Sequence, residues 1–190
     1  MLANVASSYL VAGKDGGRFG NGHPSVVPYT TYPTRDGLIA VAVGNDAQFA
    51  RFVEAVCHGE WARDARFVKN RDRVVHRDLL DGLIADTLRS DPADAWIGKL
   101  QATGVPCGRI NSVAQALDDP HTAARGMVET VEHPTAGALR MLGIPFTLSG
   151  TPASVRRPPP TLGQHTDEIL REELGLTDQR IAELRTLGVI

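Results

Sequence analysis

The sequence predicts an α+β protein: a small, mostly helical domain with a β-hairpin, followed by a C-terminal segment with a second hairpin and two helices. Strand-like stretches flank two turn signals, Arg35-Asp36-Gly37 and Thr135-Ala136-Gly137. Between them, apolar residues recur at the i, i+3, i+4 spacing of helices. A proline-rich connector, TPASVRRPPPTLG, separates the second hairpin from the closing helices.

Composition excludes several classes of protein. The chain has 190 residues, of which 42% are hydrophobic and 22% charged, with a net charge of −2. This balance is typical of a globular protein and offers no basic patch for nucleic acid. The longest apolar run, residues 38–43, is too short to cross a membrane. With Cys57 and Cys107 expected to be free thiols and no basic stretch after Met1, we expect a cytoplasmic protein without a secretory signal.

Residues 1–25 are predicted to be a linker with a glycine-rich loop. A short helical or extended lead, LANVASSYLVAG, runs into GKDGGRFGNGHP. Ordering so many glycines is entropically expensive, so this segment does not form a core by itself. We expect it to act as a linker or a docked arm.

Residues 26–125 are predicted to form the small domain. After the first hairpin, Asp46 is expected to cap a helix with an apolar face of Phe49, Phe52, Val53 and Val56. NRDRVVHRDLLDGLIADTLRS then predicts one longer helix, whose buried face is Val75, Leu79, Leu83, Ile84 and Leu88.

The rest of this domain is predicted from caps and short apolar runs. Asp91-Pro92 is expected to begin a helix that ends at Gly104, with Ala93, Trp96, Ile97 and Leu100 on one face. VPCGRI predicts a short strand. Asn111 or Ser112 then begins a short helix ending near Asp119-Pro120.

Residues 126–190 are predicted to form a separate C-terminal segment. MVETVEHPTAGALRMLG indicates the second hairpin, and the closing helices are expected over about 166–174 and 177–187. Their apolar residues need a partner surface, and they are Ile169, Leu170, Ile181 and Leu184.

The residues alone reveal no self-contained catalytic centre. The six histidines lack metal-ligand spacing, so we expect no metal. The chain also has neither a nucleophile elbow nor a phosphate-binding glycine loop of known pattern. Cys107 is more consistent with a small residue in a buried turn than with a nucleophile. The aspartates fit turn and helix-capping roles. By residue chemistry the chain is typical of a binding or assembly module.

The stretch RFGNGHPSVVPY allows two interpretations. Gly20, Asn21, Gly22 and His23 either form a mobile lid over an active site or serve as a plain interdomain hinge. Glycines suit a lid because a backbone without Cβ can approach a ligand closely and offer N–H groups to negative charge.

Six stretches, in this order, resemble the later part of the family III CoA-transferases. They are RFGNGHPSVVPY, DGLIAVAVGNDAQFARF, DARFVKNRDRVVHRDLL, LQATGVPCGRINSV, DDPHTAARGMV and PPPTLGQHTDEILREELGL. The family includes formyl-CoA transferase, carnitine CoA-transferase and α-methylacyl-CoA racemase.

The resemblance implies that this chain lacks a first half. In the family, that half is a Rossmann-like α/β domain that binds CoA and carries the catalytic aspartate, and the C-terminal segment, here 126–190, returns to complete it. Members form interlocked homodimers. Acyl-CoA and carboxylic acids are then the expected substrates, and CoA moves between them through an aspartyl-CoA thioester. The chain itself carries no catalytic residue, while Gly20, Asn21, Gly22 and His23 match the family's lid loop.

Two further interpretations stay open. One is a fragment of an α-methylacyl-CoA racemase, whose catalytic pair would also lie in the first half. The other is a non-catalytic assembly module, or one subunit of a split enzyme. Under each of these interpretations we expect the isolated chain to be inactive.

Overall fold

The computed structural model describes residues 3–190, which fall into two compact units. The first ends at Asn111 and the second is Ser112–Ile190. Residues 1 and 2 of the predicted linker lie outside the described residues.

The first unit combines helices with a small antiparallel sheet, as the fold class predicted. Its elements are α1 (Ala3–Ala12), β1 (Tyr29–Thr34), β2 (Gly37–Ala42), α2 (Asp46–Ala55), a 3₁₀ helix (Gly59–Arg63), α3 (Asn70–Val75), α4 (Arg77–Leu88), α5 (Ala93–Ala102) and β3 (Cys107–Arg109). The strand order is β1-β2-β3, with Tyr32 opposite Ile39 and Val41 opposite Cys107. The predicted hairpin and the short strand are both confirmed.

One hydrophobic core holds the first unit together. The sheet contributes Tyr32, Ile39 and Val41, and the helices contribute the predicted faces of α2 and α5. Burying large side chains such as these stabilises a fold by roughly 1.5–3 kcal/mol each, relative to exposure. The fully inaccessible apolar members are Val27, Ile39, Val43, Phe52, Phe67, Leu80, Leu88, Ala93 and Leu100.

The predicted long helix is wrong, because α3 and α4 are separate helices that meet at His76. The His76 backbone leaves helical geometry, with φ −103° and ψ 27°, and its N–H and Nδ1 both donate to the Asp72 carbonyl. The inward face of α3 carries Arg73 instead of an apolar residue. Val75 is therefore 78% exposed and Leu79 43% exposed. Leu80, Ile84 and Leu88 form the buried face of α4, and Leu83 is partly buried.

Two predicted caps are also wrong. Asn45, one residue earlier than expected, caps α2 by accepting from the Gln48 N–H at 2.9 Å. Asp46 is thereby free to bond α3. At α5, the N–H of Ala93 donates to Asp36 Oδ1 at 2.7 Å, while Asp91 pairs with Lys99. Asp36, in the hairpin turn, thus has the helix-capping role that the local sequence predicted for Asp91.

The second unit consists of short elements. They are α6 (Val113–Leu117), α7 (Pro120–Ala124), β4 (Val128–His133), β5 (Gly137–Leu142), α8 (Thr166–Glu172) and α9 (Asp178–Thr186). The second hairpin and both closing helices are confirmed. The predicted short helix after Ser112 is confirmed as α6, and Asp119-Pro120 then begins a further short helix, α7, with its own cap.

The second unit has almost no core. Among its residues only Gly143 and Ile181 are buried. Large apolar side chains are exposed instead, namely Val113, Leu142, Phe146, Leu148, Leu162, Ile169, Leu174, Leu187, Val189 and Ile190.

Candidate functional site

The segment that the sequence singled out, residues 18–28, folds as a tight turn followed by an anchored stretch; we call it the glycine loop. The Gly22 N–H donates to the Phe19 carbonyl at 2.8 Å, and Gly20 has a φ of +58°. A Cβ on Gly22 would lie 3.0 Å from that carbonyl oxygen. Glycine is therefore favoured at both positions, at Gly20 by the positive φ and at Gly22 by the close carbonyl oxygen.

The tip of the glycine loop keeps backbone donors available. Within residues 3–190, neither the Gly20 N–H nor the Asn21 N–H has a hydrogen-bond acceptor. The Asn21 side chain is turned toward the sheet, where its Nδ2 donates to Thr31 Oγ1 at 3.3 Å. Free N–H groups at an exposed turn are suited to binding negative charge.

His23 lies between the tip and the anchored stretch. Its N–H donates to the Tyr29 carbonyl at 2.9 Å, and its ring packs against that of Tyr29 with a centroid separation of 5.3 Å. The Ser25 N–H donates to His23 Nδ1 at 3.1 Å. The imidazole is thus held by the Tyr29 ring of β1 and the Ser25 N–H of the loop, and the His23 backbone is bonded to β1.

Helices α3 and α4 fix the base of the glycine loop. Arg77 Nη2 donates to the carbonyls of His23 (2.8 Å) and Pro24 (3.1 Å), and its guanidinium lies over the Phe19 ring. Asn70 donates to the Ser25 carbonyl and accepts from the Val27 N–H. The base of the glycine loop is therefore held by hydrogen bonds from α3 and α4, whereas two backbone N–H groups at its tip have no acceptor among the described residues.

The sequence analysis did not identify these anchors. Asn70, Arg73 and Arg77 are spaced i, i+3, i+7, so one helix-like face carries polar groups. One signal in the sequence could have identified them. The three polar residues directly precede Leu80, Ile84 and Leu88, which are buried, so polar side chains next to this apolar face are candidates for inward contacts.

A second polar pair lies behind Arg77. The Tyr32 hydroxyl donates to Asp81 Oδ1 at 2.5 Å. Burial raises the pKa of the Asp81 carboxyl, whereas the Tyr32 hydrogen bond and the Arg77 charge lower it. Burial also raises the pKa of Tyr32, with the Asp81 charge adding to the effect.

A cavity of about 620 Å³ borders the glycine loop within the first unit. Phe19, Pro24 and Ser25 line it from the loop, and Asn70, Arg71 and Val74 line it from α3. Val5, Ser8 and residues 14–17 complete the wall. The cavity has the size of small-molecule sites in general.

Other residues weighed as reactive groups have structural roles. The Cys107 thiol lies near the Ile97 carbonyl, and burial raises its pKa, which disfavours the thiolate. Asp91 and Asp167 pair with Lys99 and Arg185. The N–H of Gly44, the glycine between β2 and α2, donates to Gln48 Oε1 and so has a partner within this turn. Among the described residues, no group of three metal-binding side chains comes together.

The same part of the chain contains no helix with the length and apolarity needed to cross a bilayer.

Comparison with known proteins gives concordant matches. A family model described as CoA-transferase family III matches residues 1–166. Human succinyl-CoA:glutarate CoA-transferase is 34% identical over the whole chain, which covers 43% of that protein. Succinyl-CoA–D-citramalate CoA-transferase of Chloroflexus aurantiacus is 36% identical, again over the whole chain and 48% of that protein.

A solved structure described as a CAIB/BAIF family protein from Brucella suis has a TM-score of 0.74 and 36% identity, over 92% of this chain and 44% of that one. The chain therefore spans less than half the length of these relatives.

Proposed function

This chain belongs to CoA-transferase family III, and from that membership we propose that it forms part of an acyl-CoA:carboxylate CoA-transferase. The observation that carries the proposal is the 34–36% identity over the whole chain to two transferases named for succinyl-CoA and a carboxylic acid. Succinyl-CoA is the proposed donor and a dicarboxylic acid the proposed acceptor. CoA and its thioesters are thus substrates, and the proposed reaction needs no metal.

The proposed reaction is an exchange in four steps at an aspartate outside this chain. The carboxylate attacks the donor thioester, which gives a mixed anhydride and CoA thiolate. The thiolate then attacks the enzyme's side of the anhydride, which releases the donor acid and leaves an aspartyl-CoA thioester. The acceptor carboxylate then attacks the aspartyl-CoA thioester, which gives a second mixed anhydride and CoA thiolate. The thiolate attacks the acceptor's side of this anhydride, which forms the new acyl-CoA and restores the aspartate.

The glycine loop has the proposed role of a lid in this reaction, with Gly20, Asn21, Gly22 and His23 at the acyl intermediates. Anhydrides and thioesters hydrolyse, so the site must exclude water while they exist. The free Gly20 and Asn21 N–H groups are suited to the negative charge that develops on an acyl oxygen.

The second unit has the proposed role of completing the CoA-binding half. It exposes ten large apolar side chains and buries only two residues, whereas a domain that is stable by itself buries most of its large apolar side chains. Large exposed apolar surface is favoured only where another surface covers it. We infer that the first half covers it within an interlocked homodimer, in the reducing cytoplasm where Cys57 and Cys107 stay free.

The test begins with the native protein, captured from its own cells with an antibody against α8 and α9. Its intact mass is compared with the 20.4 kDa of this chain. The captured protein is then incubated with succinyl-CoA and each of glutarate, malate, citramalate and oxalate, and new CoA thioesters are measured. Hydroxylamine converts an aspartyl-CoA thioester into a hydroxamate whose mass identifies the nucleophile.

The proposal predicts a new CoA thioester with at least one dicarboxylate and a trapped aspartate outside these 190 residues. Exchange of the α-proton of a 2-methylacyl-CoA without CoA transfer would establish the racemase instead. A captured protein with neither activity would indicate an assembly module.

A further inference from the structure

The base of the glycine loop fixes the position of the His23 ring. Arg77 holds the His23 and Pro24 carbonyls, so the peptide on the C-terminal side of the ring cannot rotate without losing two hydrogen bonds to a charged donor. On the other side, the His23 N–H is bonded to the Tyr29 carbonyl of β1. The Tyr29 ring packs against the imidazole in a tilted contact, with a centroid separation of 5.3 Å.

The loop also fixes where the ring proton lies. The Ser25 N–H donates to Nδ1, and a backbone N–H can only donate, so Nδ1 is the acceptor. A neutral imidazole carries one proton, which is therefore on Nε2. Within residues 3–190, Nε2 has no hydrogen-bond partner.

We propose that His23 is a hydrogen-bond donor of the active site, offering its Nε2–H to an oxygen of the bound acyl group. The inference rests on the proposed transferase function, and it assigns a role to a side chain where only the loop backbone had one. A donor already held in place costs no reorganisation when charge develops on the acyl oxygen. Arg77 is the corresponding positioning residue, since it acts through the His23 and Pro24 carbonyls.

The second unit supplies a matched control. His133-Pro134-Thr135 repeats the pattern His23-Pro24-Ser25, and His133 Nδ1 likewise accepts from the Thr135 N–H at 3.2 Å. Both histidines are thus expected to carry their proton on Nε2, but His133 is the last residue of β4 and is remote in sequence from the glycine loop.

The first experiment is ¹⁵N NMR of the two imidazoles in the 190-residue chain, well above the ordinary histidine pKa of about 6.5. The expected spectrum shows a protonated Nε2 and an unprotonated Nδ1 for His23. The opposite tautomer would overturn the inference whether or not the chain is part of a transferase.

The second experiment separates the two ring nitrogens in the captured native protein. His23→Asn keeps an acceptor near the Ser25 N–H and removes the Nε2 donor, whereas His23→Gln keeps a donor near the Nε2 position. We expect His23→Asn to lower kcat about 100-fold, with little change in the KM for the acceptor acid. His23→Gln is expected to recover most of that loss, and His133→Asn to leave kcat unchanged.

Arg77→Gln tests the positioning role through amide hydrogen exchange. Exchange at residues 19–25 is expected to rise at least tenfold while the core amides keep their protection. Full activity in His23→Asn, or equal losses in His23→Asn and His23→Gln, would refute the donor role. If the wild-type protein moves no CoA, the transferase proposal fails first, and the NMR result still stands separately.

Discussion

Arg73 and Asp46 form an ion pair of 2.9 Å in which only one partner is buried. The Arg73 side chain is completely inaccessible, whereas 40% of the Asp46 side chain is exposed. Arg73 also donates to the carbonyls of Val27, Phe67 and Val68, and its guanidinium lies 4.3 Å from the centre of the Phe49 ring. One cation thus joins the end of the glycine loop to α2, α3 and the segment between them.

Arg73→Met is expected to lower the free energy of unfolding by about 3 kcal/mol, because three backbone carbonyls lose their donor in a buried site. Asp46→Asn is expected to cost about 1 kcal/mol or less, since its carboxylate is solvated. Urea denaturation followed by Trp61 and Trp96 fluorescence reports on both, because both side chains lie in the first unit's core.

Arg71→Met is the control for the loss of an arginine, since the Arg71 side chain is 86% exposed. Its effect is expected to stay within about 0.5 kcal/mol. Equal costs for Arg73→Met and Asp46→Asn would mean that the ion pair, and not the carbonyl contacts, supplies the stabilisation.

The Tyr32–Asp81 pair predicts a pH-dependent stability. Burial raises the pKa of Asp81 above its unfolded value, so the folded protein takes up this proton more readily. Protonation of Asp81 therefore adds stability as the pH falls through the raised pKa, and that contribution is lost as the pH rises through it. Asp81→Asn keeps an acceptor for the Tyr32 hydroxyl but cannot titrate.

We expect the stability of the wild-type protein relative to Asp81→Asn to increase as the pH is lowered from neutral toward the ordinary pKa of a carboxyl group. Urea midpoints in a pH series measure this difference. Tyr32→Phe is expected to cost about 2 kcal/mol at neutral pH, because a partly buried carboxylate loses its donor. A difference between wild type and Asp81→Asn that is independent of pH would show that Asp81 titrates normally.

The contact between Asp36 and the start of α5 predicts an unequal pair of variants. Asp36→Ala removes the acceptor of the Ala93 N–H and a partner of Arg109, whereas Asp91→Ala removes only an exposed ion pair. Asp36→Ala is therefore expected to be clearly the more destabilising in thermal unfolding. A larger effect of Asp91→Ala would restore the cap that the local sequence suggested.

The same contact lowers the pKa of Asp36, chiefly through the Ala93 N–H and further through Arg109. The stabilisation from Asp36 is present above the unfolded carboxyl pKa and is lost as the pH falls through the lowered value. Asp36→Asn should abolish this part of the acid sensitivity.

Sequence reasoning succeeded where the signal is local. The turn at Arg35-Asp36-Gly37 and the apolar spacing of α2 and α5 depend on neighbouring residues, and the structure confirms them. It failed where a distant group decided the outcome. Asp36 caps a helix that begins 57 residues later, and Arg73 turns a polar side chain inward because the Val27 carbonyl and the Asp46 carboxylate, 46 and 27 residues away, meet there.

The candidate site shows the same division. Its glycines and His23 were evident from composition, and Gly22 proves to have a steric reason to be glycine. The side chains that hold the loop, Asn70 and Arg77, lie 45 and 54 residues away from their partners Ser25 and His23. No periodicity in one sequence reports such pairs.

Helical glycines offer a stabilisation test. Gly82 and Gly98 lie on exposed helix faces, and a Cβ at either position meets no atom within 4 Å. Gly82→Ala and Gly98→Ala are each expected to raise the free energy of unfolding by roughly 0.5–1 kcal/mol, because alanine loses less backbone entropy on folding.

Gly104→Ala is the matched opposite, since Gly104 ends α5 with a φ of +70°. It is expected to cost about 1 kcal/mol or more. A stabilising Gly104→Ala, measured in the same urea titrations, would contradict the left-handed geometry at this helix end.

The second unit provides the last prediction, because its stability depends on a covering surface. With Ile181 as its one buried large apolar side chain, the unit has little to offset the entropy of ordering Ser112–Ile190. Amide hydrogens of β4, β5, α8 and α9 are therefore expected to exchange at least tenfold faster than those of β1, β2 and α5 in the isolated chain. In the captured native protein the same amides should become protected, if the CoA-binding half covers them.

Leu142→Ser and Ile169→Ser sharpen this test, since both side chains are more than half exposed in the chain. Each is expected to change the stability of the isolated chain little and to weaken the native assembly, as measured by its mass in solution. Protection of the second unit in the isolated chain, equal to that of the first, would show that it folds without a partner and that the exposed apolar surface has another purpose.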